Sequence, residues 1–153
     1  MITKNIKNKR KKVNGFTCTL PAKSVNEGLA RGMISAFCSQ ADPTVEELCD
    51  VKTAVSEAVT NCIVHGYRNT IGLIYMQIRI FDGGKIYIKI RDRGCGIADI
   101  KQAMEPLFTT SPETERSGLG FSVMESFMDK LSVKSATGKG TTVTMVKRLK
   151  EKG

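Results

Sequence analysis

Residues 73–91 read LIYMQIRIFDGGKIYIKIR. Two apolar-rich runs flank Asp82-Gly83-Gly84, and Asp-Gly and Gly-Gly steps supply the positive φ that a tight strand reversal needs. In the second run Ile86, Ile88 and Ile90 alternate with Tyr87, Lys89 and Arg91. That period of two belongs to a strand with one face buried and the other wet. The stretch therefore predicts an antiparallel hairpin of strands over 73–81 and 85–91.

Upstream, Phe16, Cys18 and Leu20 alternate within 15–21 and predict a short strand. Ser24 and Glu27 have the spacing of a capping box and open a helix to about Gln40, with Leu29, Met33, Ile34, Phe37 and Cys38 on its apolar face. After Asp42-Pro43, Thr44 and Glu47 repeat the signature and open a long helix over 45–64, stopping at His65-Gly66. Its core stripe is Leu48, Val51, Val55, Ala58, Val59 and Cys62. Glu57 and Asn61 lie on the opposite side with Asp50, Ala54 and Thr60, at about 100° per residue. Downstream come a glycine turn, Asp92-Arg93-Gly94-Cys95-Gly96, and a long loop over 98–117 with two prolines and no sustained period. A loop of that length in a small domain is functional or disordered. A helix over 120–130 turns Val123, Met124, Phe127 and Met128 inward, and a last hairpin pairs 131–136 with 141–147. Hairpins separated by helices predict an α+β fold: a two-layer sandwich of a mixed, mainly antiparallel sheet with helices on one face.

Composition limits the function classes. The 153 residues carry 24 Lys and Arg against 15 Asp and Glu. Residues 1–12 hold six bases and no acid, and 147–153 hold four bases and Glu151, so the remaining body has fourteen of each. A basic, flexible tail over 1–14, one domain over 15–149 and a tail over 150–153 follow. A neutral body argues against direct nucleic-acid reading. No run approaches the roughly 18 apolar residues of a membrane span, and no apolar run follows the basic start as in a secretory signal, so a cytoplasmic location is expected. Five cysteines without a C-x-x-C pair, and His65 as the one histidine, make a zinc set implausible and reduced thiols the expectation, with Cys38, Cys49 and Cys62 as core-type residues. No complete phosphate-loop, G-x-G-x-x-G or G-x-S-x-G motif occurs.

Four polar clusters remain. Glu57 and Asn61 share a helix face, where a carboxylate can accept a proton and an amide oxygen can ligate Mg²⁺; a solvated pair is the plainer reading. Asp92 with Gly94 and Gly96 can accept from an exocyclic amine beside a flat ring, or can be a tight turn alone. Glu115-Arg116-Ser117-Gly118-Leu119-Gly120-Phe121 runs from a loop into a helix start, an arrangement suited to anions. Gly140-Thr141-Thr142 opens the last strand and by itself is a hairpin end.

Taken in order, E-x-x-x-N on a helix, D-x-G-x-G after a strand, S-G-x-G into a helix and G-T on a strand resemble the Bergerat-type (GHKL) ATP fold. Gyrase, chaperone, mismatch-repair and histidine-kinase nucleotide domains share it, and the resemblance runs from about Phe16 to Leu149. Within it, Ser56-Glu57-Ala58-Val59-Thr60-Asn61, His65-Gly66-Tyr67, Pro106-Leu107-Phe108-Thr109-Thr110 and residues 115–121 resemble the anti-sigma F factors of spore-forming bacteria. The resemblance implies a serine protein kinase that uses Mg²⁺ and ATP, binds a sigma factor, and phosphorylates an anti-anti-sigma factor. It implies Glu57 as general base, Asn61 as magnesium ligand and Asp92 as reader of the adenine amine, with Gly94, Gly96 and Thr141 shaping the base pocket. Residues 98–117 would form a lid, with Thr109 and Arg116 near the γ-phosphate, while Ser117, Gly118, Leu119 and Gly120 hold the remaining phosphates. Glu27 and Arg31, exposed one turn apart, match a partner-binding face, and a homodimer through the sheet around 16–20 is implied. Three related readings differ in chemistry: a stress-response anti-sigma kinase, a gyrase- or chaperone-type ATPase, and a histidine-kinase catalytic domain. The last needs a phosphoacceptor histidine, whereas His65 lies in the nucleotide-site helix.

Overall fold

The computed structural model describes residues 11–105 and 120–150. Strands β2 (Leu73–Phe81) and β3 (Lys85–Asp92) form the predicted hairpin, with Gly83 and Gly84 at φ of 80° and 79°. β1 (Lys12–Pro21) pairs with the outer side of β2, and β5 (Gly140–Arg148) with the other side of β3. β4 (Lys130–Ala136) closes the order β1-β2-β3-β5-β4. The α+β reading holds, but every pairing among these strands is antiparallel, so the sheet is not mixed. β1 begins at Lys12, inside the stretch assigned to the basic tail.

Helices α1 (Val25–Cys38), α2 (Val45–Asn61), the short α3 (Ile100–Ala103) and α4 (Phe121–Phe127) complete the described elements. Alternation puts Ile74, Met76, Ile78 and Ile80 of β2 and Ile86, Ile88 and Ile90 of β3 on the covered face, all at most 5% exposed. Ala30, Ile34 and Cys38 of α1, Val51, Val55 and Val59 of α2, and Phe121 and Met124 of α4 meet them. α2 packs against both α1 and α4, which is why Ala54, expected on a polar face, is fully buried.

Four local expectations change. Ser24 has helical φ and ψ and makes no side-chain cap: the Glu27 N–H donates to the Ser24 carbonyl at 3.2 Å, and the Glu27 carboxylate pairs with Arg31. The Thr44–Glu47 box does form, with Glu47 Oε1 accepting from the Thr44 N–H at 2.9 Å and Thr44 Oγ1 from the Glu47 N–H at 3.1 Å. α1 turns Ala30, Ile34 and Cys38 inward and leaves Leu29 half exposed; α4 buries Phe121 and leaves Phe127 at its exposed end. Cys49 is exposed, while Cys38 and Cys62 are buried and all five thiols are free. The start of the expected loop forms one helical turn, since Asp99 Oδ1 caps it by accepting from the Gln102 N–H at 3.0 Å.

The neutral body also proves electrically divided. By register, Arg79, Lys85, Lys89, Arg91, Lys130, Lys134 and Arg148 share the uncovered face of the sheet, and no carboxylate points outward from these strands. Arg79 and Lys85 lie over the Tyr87 and Phe81 rings at 5.8 and 5.2 Å. Among the described residues the carboxylates lie elsewhere, on the helices, in the connections, at the Asp82 turn and, as Asp92, on the covered face of β3, so a neutral sum does not make the surface uniform.

Candidate functional site

The end of α2 organises the site. Its last turn widens over Cys62–Gly66, where the Tyr67 N–H bonds the Cys62 carbonyl five residues back at 2.9 Å. Such single wide turns are frequent at functional sites. The Gly66 carbonyl accepts from the Cys95 N–H at 2.9 Å. The Tyr67 hydroxyl accepts from the Arg93 N–H at 2.7 Å and donates to the Leu73 carbonyl at 2.5 Å. Together these fasten the turn after β3 onto the helix end.

Asp92 is the buried product of that fastening, at 4% exposed. Its Oδ1 accepts from the Gly94 N–H at 2.9 Å. Gly66 and Gly94 lack side chains where none would fit: a Cβ at Gly66 would stand 2.8 Å from Asp92 Cγ, and one at Gly94 would run into Gly66. Burial raises the Asp92 pKa above the ordinary carboxylate value; the Gly94 N–H, the Cys62 thiol and the Thr141 backbone partly oppose it by favouring the ionised form. Burial first and the Asp92 charge second push the Cys62 thiol well up, so it is a neutral group beside the carboxylate.

Across the ladder Asp92 pairs with Thr141. Gly140, at φ 87°, brings β5 close enough that a Cβ would lie 2.7 Å from Arg93 Cα. Asp92 and Thr141 line one cavity with Asn61, His65 and Gly96, between the apolar walls of Ala58, Ile90, Ile97, Phe121 and Val143. They are two of the three buried polar or charged side chains among the described residues, the third being the capping Glu47. A buried carboxylate between apolar walls fits a flat aromatic ring bearing an amine. His65 is half-buried and burial lowers its pKa, so the imidazole brings no charge to the cavity near neutrality.

One helical turn before Asn61, Glu57 lies against Gly120, whose φ is 63° and whose Cβ would stand 3.1 Å from the Glu57 Cδ. The Glu57 pKa is raised, first by burial and then by the charge of Glu27. Glu27 Oε1 holds Arg31 Nη1 at 3.1 Å, and the same nitrogen reaches Ser56 Oγ at 3.5 Å. Arg31 is exposed, but Glu27 is half-buried rather than free on the surface.

Of the expected residues, the structure gathers Asn61, Asp92, Gly96 and Thr141 around one cavity, Gly94 beneath Asp92, and Glu57 with Gly120 beside it. Thr109, Arg116, Ser117, Gly118 and Leu119 lie outside the described residues. Cys62 and Ile97 join the cavity without having been singled out as site residues, since an apolar or thiol side chain on a core face gives no such signal, whereas Gly66 and Phe121 stand within the quoted motifs.

Comparison with known proteins gives the family. The family model described as the histidine kinase-like ATPase domain matches residues 20–147. An anti-sigma F factor of Thermoanaerobacter sp. (strain X514) is 58% identical over 126 residues, covering 82% of this chain and 87% of that protein. The anti-sigma F factor of Geobacillus stearothermophilus is 51% identical over 131 residues, covering 86% and 90%. The chain belongs to the anti-sigma F factor family. As a member of that family it has an ATP-using, kinase-like domain. The fold also matches the solved RsbU and RsbW domains of a Mycobacterium tuberculosis protein, with a TM-score of 0.65 at 18% identity over 92% of this chain and 34% of that one. A blue-light activated histidine kinase domain from Erythrobacter litoralis shares it with a TM-score of 0.51 at 19% identity, over 80% and 61%. Among the described residues of this anti-sigma F family member, no helix is long and apolar enough to cross a membrane.

Proposed function

We propose that this protein sequesters a sporulation sigma factor and, with Mg²⁺ and ATP, phosphorylates a serine of its anti-anti-sigma factor, which that modification inactivates. The observation that carries the reading is one stretch of α2 serving two ends of a single site. Asn61 and Cys62 line the cavity with Asp92, and Glu57 abuts Gly120 one turn away.

Asp92 accepts from the adenine amine, and Gly94, Gly96 and Thr141 shape the space around the ring. Glu57 takes the proton from the attacking serine hydroxyl; its raised proton affinity favours that role. Asn61 offers the amide oxygen that would hold Mg²⁺. No group of three His, Cys, Asp or Glu among the described residues could hold a metal by itself, which suits an ion bound largely through phosphate oxygens and water. Such an ion neutralises charge on the triphosphate, and the protein's own task is positioning. Residues 98–117 act as the lid, with Thr109 and Arg116 at the γ-phosphate and Ser117, Gly118, Leu119 and Gly120 along the chain of phosphates.

The partner face is the outer side of α1. Glu27 and Arg31 stand beside Leu29, half exposed, and Val25, 76% exposed, while Gly28 and Gly32 leave room for close approach. The free edge of β1, around 16–20, is the homodimer contact; the like-charged sheet face disfavours pairing through the sheet surface. Incubation with Mg²⁺, ATP and a candidate anti-anti-sigma protein, followed by mapping of the phosphate, tests the assignment. Phosphoserine on that partner is expected; phosphohistidine, or free phosphate alone, overturns it.

A further inference from the structure

Ser135 of β4 is no part of the motifs above, yet its hydroxyl is saturated by Gly140 and two residues that line the cavity, Ile97 and Thr141. It accepts from the Ile97 N–H at 2.8 Å, donates to the Gly140 carbonyl at 2.9 Å, and lies 2.9 Å from Thr141 Oγ1. A serine hydroxyl has one proton and two lone pairs, and a backbone carbonyl can only accept. If Ser135 gave its proton to Thr141, the Gly140 oxygen would face a lone pair at hydrogen-bond distance. All three contacts hold together in one arrangement only. Ser135 donates to Gly140, and Thr141 donates to Ser135.

The Thr141 proton is then committed away from the cavity, and its oxygen can offer only lone pairs there. Its cross-strand neighbour Asp92 is a carboxylate, which when ionised is also purely an acceptor. We infer that Ser135 is a positioning residue that sets base specificity: by holding the Thr141 proton it makes the buried polar pair acceptor-only. Such a pair favours a purine with an amine at position 6 and opposes one with a carbonyl there, whose oxygen would meet lone pairs. The inference rests on the reading of the cavity as an adenine-nucleotide site and adds the residue that fixes its polarity.

Without Ser135 the Thr141 hydroxyl is free to turn and donate to a 6-oxo group. The test compares ATP and inosine triphosphate (ITP) affinities, by calorimetry with Mg²⁺ on the full chain, for the parent, Ser135→Ala and Ser135→Thr. Ser135→Ala also strands the Ile97 N–H and Gly140 carbonyl and lowers stability, so the readout is the ratio of the two affinities and not either alone. The ratio favouring ATP is expected to fall by about 3- to 10-fold in Ser135→Ala, the worth of one neutral hydrogen bond, and to stay near parental in Ser135→Thr, which keeps the hydroxyl. Equal weakening of both nucleotides, an unchanged ratio, or a ratio lost equally in both variants overturns it. Asp92→Asn separates the two levels. If it collapses the ratio while Ser135→Ala does not, only the role of Ser135 fails; if it too leaves the ratio intact, the adenine reading of the cavity fails.

Discussion

Gly66→Ala puts a single methyl group at the junction on which the site depends. Its Cβ would stand 2.8 Å from Asp92 Cγ and 2.9 Å from each carboxylate oxygen. Optimal carbon contacts lie at about 3.5–4.0 Å, so the carboxyl group must retreat by roughly 0.5 Å or more. It has little room, being 4% exposed and held by the Gly94 N–H. Overpacking of this kind costs about 1–3 kcal/mol, and in a domain of this size each kcal/mol lowers Tm by about 2–4 °C. A fall of about 2–12 °C is expected. If the displaced carboxylate no longer meets the adenine amine, ATP binds about 10- to 100-fold more weakly, the value of a charged hydrogen bond. Thermal melting of the apo protein and calorimetric titration with ATP read the two effects. Asp92→Ala supplies the control: with the carboxylate gone, adding Gly66→Ala should cost little further stability, a non-additivity reserved for groups in contact. A Gly66→Ala protein that melts within about 1 °C of the parent and binds ATP as tightly would refute the reasoning.

Three further outcomes are expected. Glu57→Gln should slow phosphoryl transfer at saturating ATP by about 10²- to 10⁴-fold, the usual worth of a general base, while calorimetry finds ATP affinity nearly unchanged. It should not lower Tm near neutrality: the folded pKa of Glu57 is raised, so the native state binds more protons just above the ordinary carboxylate value, stability falls as pH rises through that window, and a neutral glutamine removes the loss. Glu27→Gln removes the second cause of that raised pKa, so the acid limb of the transfer rate against pH should move to lower pH; an unmoved limb would show that Glu57 does not govern it. Thr44→Ala deletes half of the capping box of α2 and should lower stability by about 0.5–2 kcal/mol in urea melts, with phosphoryl transfer at saturating ATP unaffected.

Much of the fold was legible because alternation and turn chemistry are local. The isoleucines of β2 and β3 declare their buried face, Asp82-Gly83-Gly84 the reversal, and Thr44 with Glu47 the start of α2. Ser24 and Glu27 have the same spacing without the same structure, because Ser24 is itself helical and its carbonyl takes the Glu27 N–H that its hydroxyl would cap. Ala54 was misjudged because helical angle alone does not reveal that α4 covers a second side of α2. The site was legible as motifs and not as geometry. Asp92, Asn61 and Thr141 stand out as polar clusters whose roles come from the resemblance, but that Gly66 makes room for Asp92, or that Ser135 and Thr141 share a hydrogen bond, depends on contacts between residues 26 and six apart that no periodicity encodes.

The charge arithmetic shows the same limit from another side. A balance of fourteen bases and fourteen acids suggests an even surface, yet the uncovered face of the sheet gathers bases without a carboxylate, while α1 and α2 carry Glu27, Glu46, Glu47, Asp50 and Glu57. The consequence falls on α2. Glu27 lies close enough for its charge to raise the proton affinity of Glu57, and Arg31, which neutralises Glu27 at 3.1 Å, also contacts Ser56, the residue before Glu57. Under the proposed function, docking face and base are therefore one electrostatic unit across α1 and α2. A partner that draws Arg31 away leaves Glu27 less compensated and Glu57 a stronger base, whereas one that satisfies Glu27 with its own cation weakens it. Under the proposed function, the substrate's contacts with α1 thus bear on the proton transfer as well as on affinity, and a sigma factor seated on the same side chains would meet the same coupling.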